Sequence, residues 1–393
     1  MHCQTIVLGA GIVGVCTALH LQARGVQVIL IDRQQPGNGT SHGNAGLIER
    51  SSVIPYAFPR ELSSLVRYGL NQQSDVRYSW RYLPKVAPWL FTYWQNSSPP
   101  RLNLAARAML PLVQRCVDEH DVLIEAAGMS DLIKANGWIE VFRNQPAFIK
   151  AQADAHALRP YGLRYEVLDG EQLREREPSL SEQAVGGIHW LDPKTVSDPG
   201  ALTRGYAALF IKRGGQFIQG DALTLKQLDG GWQVQTEQGP VSAEQAVIAL
   251  GPQAPELFKP LGYRIPLAIK RGYHMHYSSL HDAQLQHSIC DAQGGYVLAP
   301  MAQGIRLTTG IEFAESSDQA NDIQLSRCEA LARKFYPLGE RLDPEPWLGR
   351  RPCLPDMRPV IGPAVHHPGL WFNFGHAHPT PRSEERRVGK ECP

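Results

Sequence analysis

The stretch Thr5-Ile6-Val7-Leu8-Gly9-Ala10-Gly11-Ile12-Val13-Gly14, with the eighteen residues that follow it to Asp32, decides the fold of this chain. A short apolar run, Thr5 to Leu8, meets a glycine turn. A helical pattern runs from Ile12 to Arg24, Gly25 breaks it, and a second apolar run, Val26 to Ile31, ends on Asp32. Strand, glycine turn, helix, turn, strand and acid in that order form the dinucleotide-binding fingerprint. Gly9 permits the tight turn off the strand, Gly11 lets the backbone approach a pyrophosphate, and Gly14 lets the helix pack closely on the sheet. The helix N-terminus offers unpaired N–H groups and a positive dipole end to phosphates. Asp32 stands where a carboxylate accepts hydrogen bonds from an adenosine ribose. A glycine triplet alone is weak evidence; the strands, the helix and the acid around it make this a nucleotide site.

The chain has 393 residues, more than one core normally organises, so two joined domains are expected. A composition of 43% apolar and 20% charged residues with a net charge of +1 is that of a soluble globular protein and gives no reason to expect nucleic acid as a partner. The seven cysteines (Cys3, Cys16, Cys116, Cys290, Cys328, Cys353, Cys392) are scattered, with no Cys-x-x-Cys pair. That argues against a zinc site or a disulfide framework and suits a reducing compartment. The first strand starts within a few residues of Met1, leaving no room for a signal peptide, and no apolar stretch is long enough to span a membrane. A cytoplasmic location is expected.

The nucleotide domain is interrupted and resumed. After Asp32 comes a loop rich in Gly, Asn, Ser and Thr, Pro36 to Gly46, poor in core-forming residues. Helical patterns dominate from about Glu61 to Ala127, broken by Pro84, Pro88 and Pro99-Pro100, and Gly137 to Phe142 reads as a strand. Asp198-Pro199 marks a helix start that runs to about Lys212. A strand from Gln216, a hairpin around Gly230-Gly231 and the buried run Ala246 to Leu250 follow, a second block that joins a nucleotide-type sheet. From about Pro255 to Pro344 the patterns are strand-like, including Arg271 to Tyr277 and Tyr296 to Phe313, with one helix near Leu325 to Phe335. The fold class expected is α/β. Residues 1–60, 195–254 and 346–379 form a discontinuous Rossmann-like nucleotide domain, and residues 61–194 and 255–345 a mixed-sheet α+β substrate domain. The tail from Thr380 to Pro393 is charged and lacks apolar periodicity.

These motifs resemble a known family. Gly9 to Gly14, Ser41-His42-Gly43-Asn44-Ala45-Gly46, Asp198-Pro199, Ala249-Leu250-Gly251, Arg351 to Asp356 and Gly375-His376 occur in the order found in the FAD-dependent D-amino acid dehydrogenase and oxidase family. That family includes sarcosine and glycine oxidases, and the likeness is greatest to the bacterial D-amino acid dehydrogenases. The resemblance implies non-covalent FAD. Gly9, Ala10, Gly11, Ile12, Val13 and Gly14 would hold its pyrophosphate, and Asp32 and Arg33 its adenosine. Thr40, Ser41, Asn44, Ala45 and Gly46 would line the path to the flavin. Ala222 would contact adenine, Ala249 and Gly251 would pass beneath the adenosine, and Gly375 and His376 would meet the pyrimidine end of the flavin. Relatives continue past the Gly-His segment with more glycines and a helix facing the flavin; here Pro379 and the foreign-looking tail follow, as if the natural end were lost or replaced. Where sarcosine oxidases anchor FAD through cysteine, Gly349 stands, and Cys353 reads as a buried thiol.

For the chemistry, the resemblance implies oxidative deamination of a D-amino acid to a 2-oxo acid and ammonia, with hydride passing from Cα to flavin N5. An arginine fork suits the substrate carboxylate. Arg50, with Glu49 competing for its register, Arg351 and, more weakly, Arg306 are the candidates; an interdomain salt bridge is the plainer role for Arg350 and Arg351. Tyr273 is a candidate substrate contact and His42 a polar wall or proton carrier. His274 and His276 share a strand face, but no carboxylate or cysteine is seen to complete a ligand set, and no metal is expected. The aromatic and basic residues between Arg77 and Trp94 suit a membrane interface where a quinone of the respiratory chain is reached; packing beneath the substrate domain is the plainer reading. Oxidation of a secondary amine, such as a proline isomer or sarcosine, and a truncated non-catalytic flavoprotein are the alternatives. A nicotinamide dehydrogenase leaves the second nucleotide block and Gly375-His376 unexplained.

Overall fold

The computed structural model describes residues 1–376, the side chains of residues 62–64 aside, so His378 and the tail from Thr380 lie outside the described residues. The fingerprint builds the expected unit: strand His2–Leu8, helix Ile12–Gln22 and strand Val28–Asp32, with Thr5 to Leu8 paired parallel to Val28 to Ile31. The helix is buried on nearly every side, because the sheet lies under it and a second helix, Pro199–Lys212, packs against it. That second helix begins where the sequence placed it, with the Asp198 side chain accepting from the Ala201 N–H at 2.8 Å.

The chain returns to this sheet twice more. Strand Gln216–Leu228 lies parallel to Val28–Asp32 through Gln219, then turns antiparallel to Gly231–Thr236. Strand Gly239–Ile248 comes back parallel to His2–Leu8, and Leu370–Phe374 lies parallel to its end, with Val360–Pro363 as an edge. Separate apolar clusters cover the two faces of this seven-stranded sheet.

A second sheet of eleven strands is built around Ala268–Ser279, which pairs with Gly304–Thr309, Ile311–Phe313, Leu338–Arg341 and Trp347–Cys353. Trp347–Cys353 therefore belongs to this sheet, although the boundary expected at residue 346 gave it to the nucleotide domain; the last return to the nucleotide sheet starts only at Val360. A second correction concerns proline. Helix Leu83–Asn96 runs through Pro88 and helix Pro99–Gln114 through Pro111. Pro88 has no N–H for the Pro84 carbonyl, so this helix gives up one backbone bond and is held instead by the burial of Val86, Trp89 and Tyr93. The aromatic stretch divides: Trp89 and Tyr93 are buried with Phe313 and Cys353, while Trp80 and Phe91 are 63% and 58% exposed.

Candidate active site

A long groove lies between the two sheets. Its floor is the fingerprint. Gly9, Ala10, Gly11, Ile12 and Val13 line it, with Asp32, Arg33, Gln34 and Gln35 at one end beside Ala222. A Cβ at Gly14 would fall 1.7 Å from the Gly9 carbonyl oxygen, and one at Gly9, whose φ is +109°, would fall 2.4 Å from the Ala249 oxygen. Only glycine allows strand and helix this close. Gly14 thus shapes the floor from behind rather than lining it. The helix has no capping side chain at Gly11 and no acid in its first turn; Ser41 takes up the Ile12 N–H, and the positive end of the helix faces the groove with no carboxylate in its first turn. One oxygen of Asp32 accepts from the Ala10 N–H at 2.7 Å and the other from the Gln34 N–H at 2.9 Å, which fixes the carboxylate at the rim with lone pairs to spare.

The loop after the second strand forms one wall. Thr40, Ser41, Gly43 and Asn44 line it. Ser41 Oγ accepts from the Ile12 N–H at 2.9 Å, and Thr40 Oγ1 donates to the Arg350 carbonyl at 2.9 Å, tying the loop to both halves of the molecule. Ala45 and Gly46 lie behind this wall: Ala45 is buried, and Gly46 abuts the Val196 carbonyl. Ala249, Leu250, Gly251, Pro252 and Gln253 continue the floor, and Phe374, Gly375 and His376 close one side. His376 Nε2 bonds Asn373 Oδ1 at 2.9 Å.

The larger sheet supplies the roof through Gly272, Tyr273, Thr308, Trp347, Gly349, Arg351 and Pro352. Arg351 lies over Gly272, where a Cβ would meet its Nη2 at 2.7 Å. Its guanidinium makes only two long contacts, to the carbonyls of Gly310 (3.5 Å) and Thr309 (3.3 Å), and has no acidic partner among the described residues. Burial lowers its pKa, though an arginine stays cationic. Thr308 is 4% exposed and its Oγ1 has no partner among the described residues.

The other three side chains proposed for chemistry are placed differently. Arg50 is not among the residues lining the groove, and its Nη2 donates to the Tyr161 carbonyl at 3.1 Å. Its neighbour Glu49 is the buried one, with one carboxylate oxygen accepting from the N–H of Ser51 at 2.6 Å. Tyr273 reaches the groove, but its hydroxyl is engaged on the far side of the sheet. It donates to Glu312 at 2.7 Å and accepts from Arg271 at 2.8 Å and Asn321 at 3.0 Å, and burial with Glu312 pushes its pKa up to about 12. His42 is not among the lining residues; its ring lies 6.1 Å from Trp347 and 6.4 Å from His274, and burial with Arg306 lowers its pKa. Arg306 is 3% exposed and bonds protein groups, with its pKa lowered by burial to about 10. The expectation that no carboxylate joins His274 and His276 is corrected: Asp343 Oδ2 lies 2.8 Å from His276 Nδ1, brought in by a loop far away in sequence.

Sequence reasoning missed Thr308, Trp347, Gln34 and Gln35 in the lining, and the buried network of Glu312, Arg271, Arg77 and Asn321 behind Tyr273. The one available signal was Arg271-Gly272-Tyr273, a glycine inside a strand, which marks close approach.

Residues 4–380 match the family described as FAD dependent oxidoreductase (DAO). The chain belongs to that family. It is 29% identical over 384 residues to a D-amino-acid oxidase of Bradyrhizobium diazoefficiens, covering 95% of this chain and 90% of the relative. It is 30% identical over 383 residues to a D-amino acid dehydrogenase of Rhizobium rhizogenes, covering 95% and 91%. Its fold is that of a glycine oxidase from Geobacillus kaustophilus, with a TM-score of 0.72 at 19% identity over 99% of this chain and 93% of the other. It is also that of an L-proline dehydrogenase from P. horikoshii, with a TM-score of 0.69 at 16% identity over 99% and 91%. The chain is therefore an FAD-dependent oxidoreductase, and the groove fits the cofactor. A Cβ at Gly9 or Gly14 would force strand, turn and helix apart, the first turn of the helix carries no acid, and the Thr308 hydroxyl on the lining has no partner among the described residues. The glycine turn would hold the pyrophosphate and Asp32 the ribose. None of the six described cysteines lines the groove, and Cys353 is fully buried.

Proposed function

We propose that this enzyme oxidises a D-amino acid at its Cα–N bond, yielding an imino acid that water converts to a 2-oxo acid and ammonia. FAD supplies the acceptor for the electron pair that leaves with the Cα hydrogen. The protein's share is to orient the substrate and to keep its amine unprotonated. The observation that carries this reading is Arg351, a cation on the groove roof that has no carboxylate partner among the described residues, on the same roof as the Thr308 hydroxyl, which has no partner among them either. A guanidinium fork in such a place accepts a substrate carboxylate bidentately, and Thr308 Oγ1 adds one neutral contact. The D-amino acid oxidase and dehydrogenase named above support the substrate class. We assign the electron acceptor to a membrane quinone of the respiratory chain. Trp80 and Phe91 project to solvent, with Arg60 stacked 4.4 Å over Trp94 beside Phe91, the pairing of aromatic and basic groups that suits a lipid headgroup layer. No described helix is long and apolar enough to cross a membrane.

A panel of D- and L-amino acids, N-methyl and cyclic amines, assayed with an artificial dye and with oxygen, tests the reading. Dye reduction with ammonia release from primary D-amino acids is the expected result; turnover of cyclic or N-methyl amines alone overturns it. Arg351→Met should lower kcat/KM about a hundredfold, chiefly through KM, with the flavin absorbance retained. Unchanged KM would remove Arg351 from the substrate site.

A further inference from the structure

Three consecutive carbonyls of the groove-lining loop accept hydrogen bonds from the larger sheet. Arg306 Nη1 reaches the His42 oxygen at 3.5 Å and the Asn44 oxygen at 2.8 Å, and His274 Nδ1 reaches the Gly43 oxygen at 3.0 Å. In a trans peptide the N–H points opposite to the C=O. The N–H groups of Gly43 and Asn44, which line the groove, are therefore turned away from the sheet, and neither has a protein acceptor among the described residues. The loop thus presents donors because Arg306 and His274 hold its acceptors.

Arg306 is held in turn. Its Nε–H can only donate, so His276 Nε2, 3.0 Å away, accepts. That fixes the imidazole proton on Nδ1, which donates to Asp343 Oδ2 at 2.8 Å; the same oxygen accepts the His276 backbone N–H at 2.7 Å. His274, His276 and Asp343 are close enough to suggest a metal site, but Arg306 uses the imidazole lone pair that a metal would need and places a cation there.

We propose that Asp343, His276 and Arg306 are positioning residues for FAD, a carboxylate–imidazole–guanidinium relay that sets the 42–44 backbone against the cofactor and releases it when His276 takes up a proton. A protonated His276 would turn Nε2 into a donor facing another N–H. The charges around it are Arg306 on the neighbouring strand, Asp343 on the following loop, His274 on its own strand and His42 on the groove loop, with Asp198 acting on Arg306 and His42, and Arg204 on His42. Burial, then Arg306, holds the His276 pKa below its ordinary 6.5, and His274 is pushed down to about 2 and stays neutral. In the folded protein the relay is therefore intact at neutral pH and is lost as the pH falls through the lowered value of His276.

The test is FAD titration of the full-length apoprotein from pH 8 to 5, followed by flavin absorbance, alongside apoprotein melting. Asp343→Asn should weaken FAD binding about tenfold at neutral pH, the loss expected for a hydrogen bond to a charged group. His276→Gln, whose amide accepts from Arg306 and donates to Asp343 without titrating, should bind FAD at neutral pH nearly as well as the parent and lose the parent's acid-side weakening. His276→Gln apoprotein should melt near the parent, and the fall in Asp343→Asn melting should be smaller than its loss of FAD affinity. The proposal is overturned if Asp343→Asn binds FAD like the parent, if His276→Gln keeps the acid-side fall, or if melting drops in step with affinity. None of these readouts depends on the substrate.

Discussion

The floor and the roof of the groove are made by different means. The floor is backbone: glycines let strand, helix and loop approach within contact distances that a methyl group would forbid, and helix amides face the groove. The roof is side chains, held by charged networks on both faces of strand Ala268–Ser279. On one face Arg306, His276 and Asp343 hold the groove loop. On the other Glu312 gathers Arg77, Arg271, Tyr273 and Asn321. A backbone-made surface fails when volume is added. A network-made surface fails when charge is removed.

The largest effect is expected on the roof. Glu312 is fully buried and is the one carboxylate between Arg77 and Arg271, whose guanidinium also donates to the carbonyls of Glu315, Asp318 and Gln319. Glu312→Ala leaves two cations facing each other, and losing one partner of a buried pair costs about 3–5 kcal/mol. Denaturant melts of holoprotein should show a loss of this size. A change below about 1 kcal/mol, the range of exposed pairs, would mean the network is not structural. The floor comes next. Gly14→Ala puts a methyl group against the Gly9 carbonyl, and the helix must shift; overpacking of this kind costs about 1–3 kcal/mol. FAD affinity should fall more steeply than stability, because the shifted N-terminus would no longer face the place proposed for the pyrophosphate. Equal losses would show that the floor serves packing alone.

The same contrast explains what could be read from the sequence. The floor was legible because its constraints are local: Gly9, Gly11, Gly14 and Asp32 lie within one βαβ unit, and each residue type has one physical reason to be there. Asp198 as a helix cap and the hairpin at Gly230-Gly231 were legible for the same reason. The roof was not. Asp343 meets His276 across 67 positions, Glu312 meets Arg77 across 235, and Arg306 meets Asn44 across 262, so no window of sequence contains either network. Arg50 and Glu49 show the limit at its narrowest: a one-residue change of register exchanges the buried side chain for the one bonded to Tyr161.

A smaller effect separates the two roles of Tyr273. Its hydroxyl serves Glu312, Arg271 and Asn321 rather than the groove; these three keep their bonds to one another in Tyr273→Phe, so the loss should stay near that of one bond to a charged group, about 1.5–3 kcal/mol of stability. KM for the amino acid should hardly move. A large rise in KM with unchanged stability would instead place the hydroxyl on the substrate and make the roof network part of the binding site.

The smallest effect is expected at the Asp32 end of the floor, where the adenosine is proposed to lie. Arg33 lines the groove there, and its guanidinium lies 3.9 Å from Asp221, with both side chains more than half exposed at 52% and 55%. Water screens such a pair, and its worth to stability is about 0–1 kcal/mol. Arg33→Ala should leave melting almost unchanged and weaken FAD binding only a few-fold at low ionic strength, with the difference vanishing near 0.5 M salt as the screening length shortens to about 4 Å. If the loss were large and independent of salt, Arg33 would be making a short, desolvated contact, and the floor would depend on a side chain as much as the roof does.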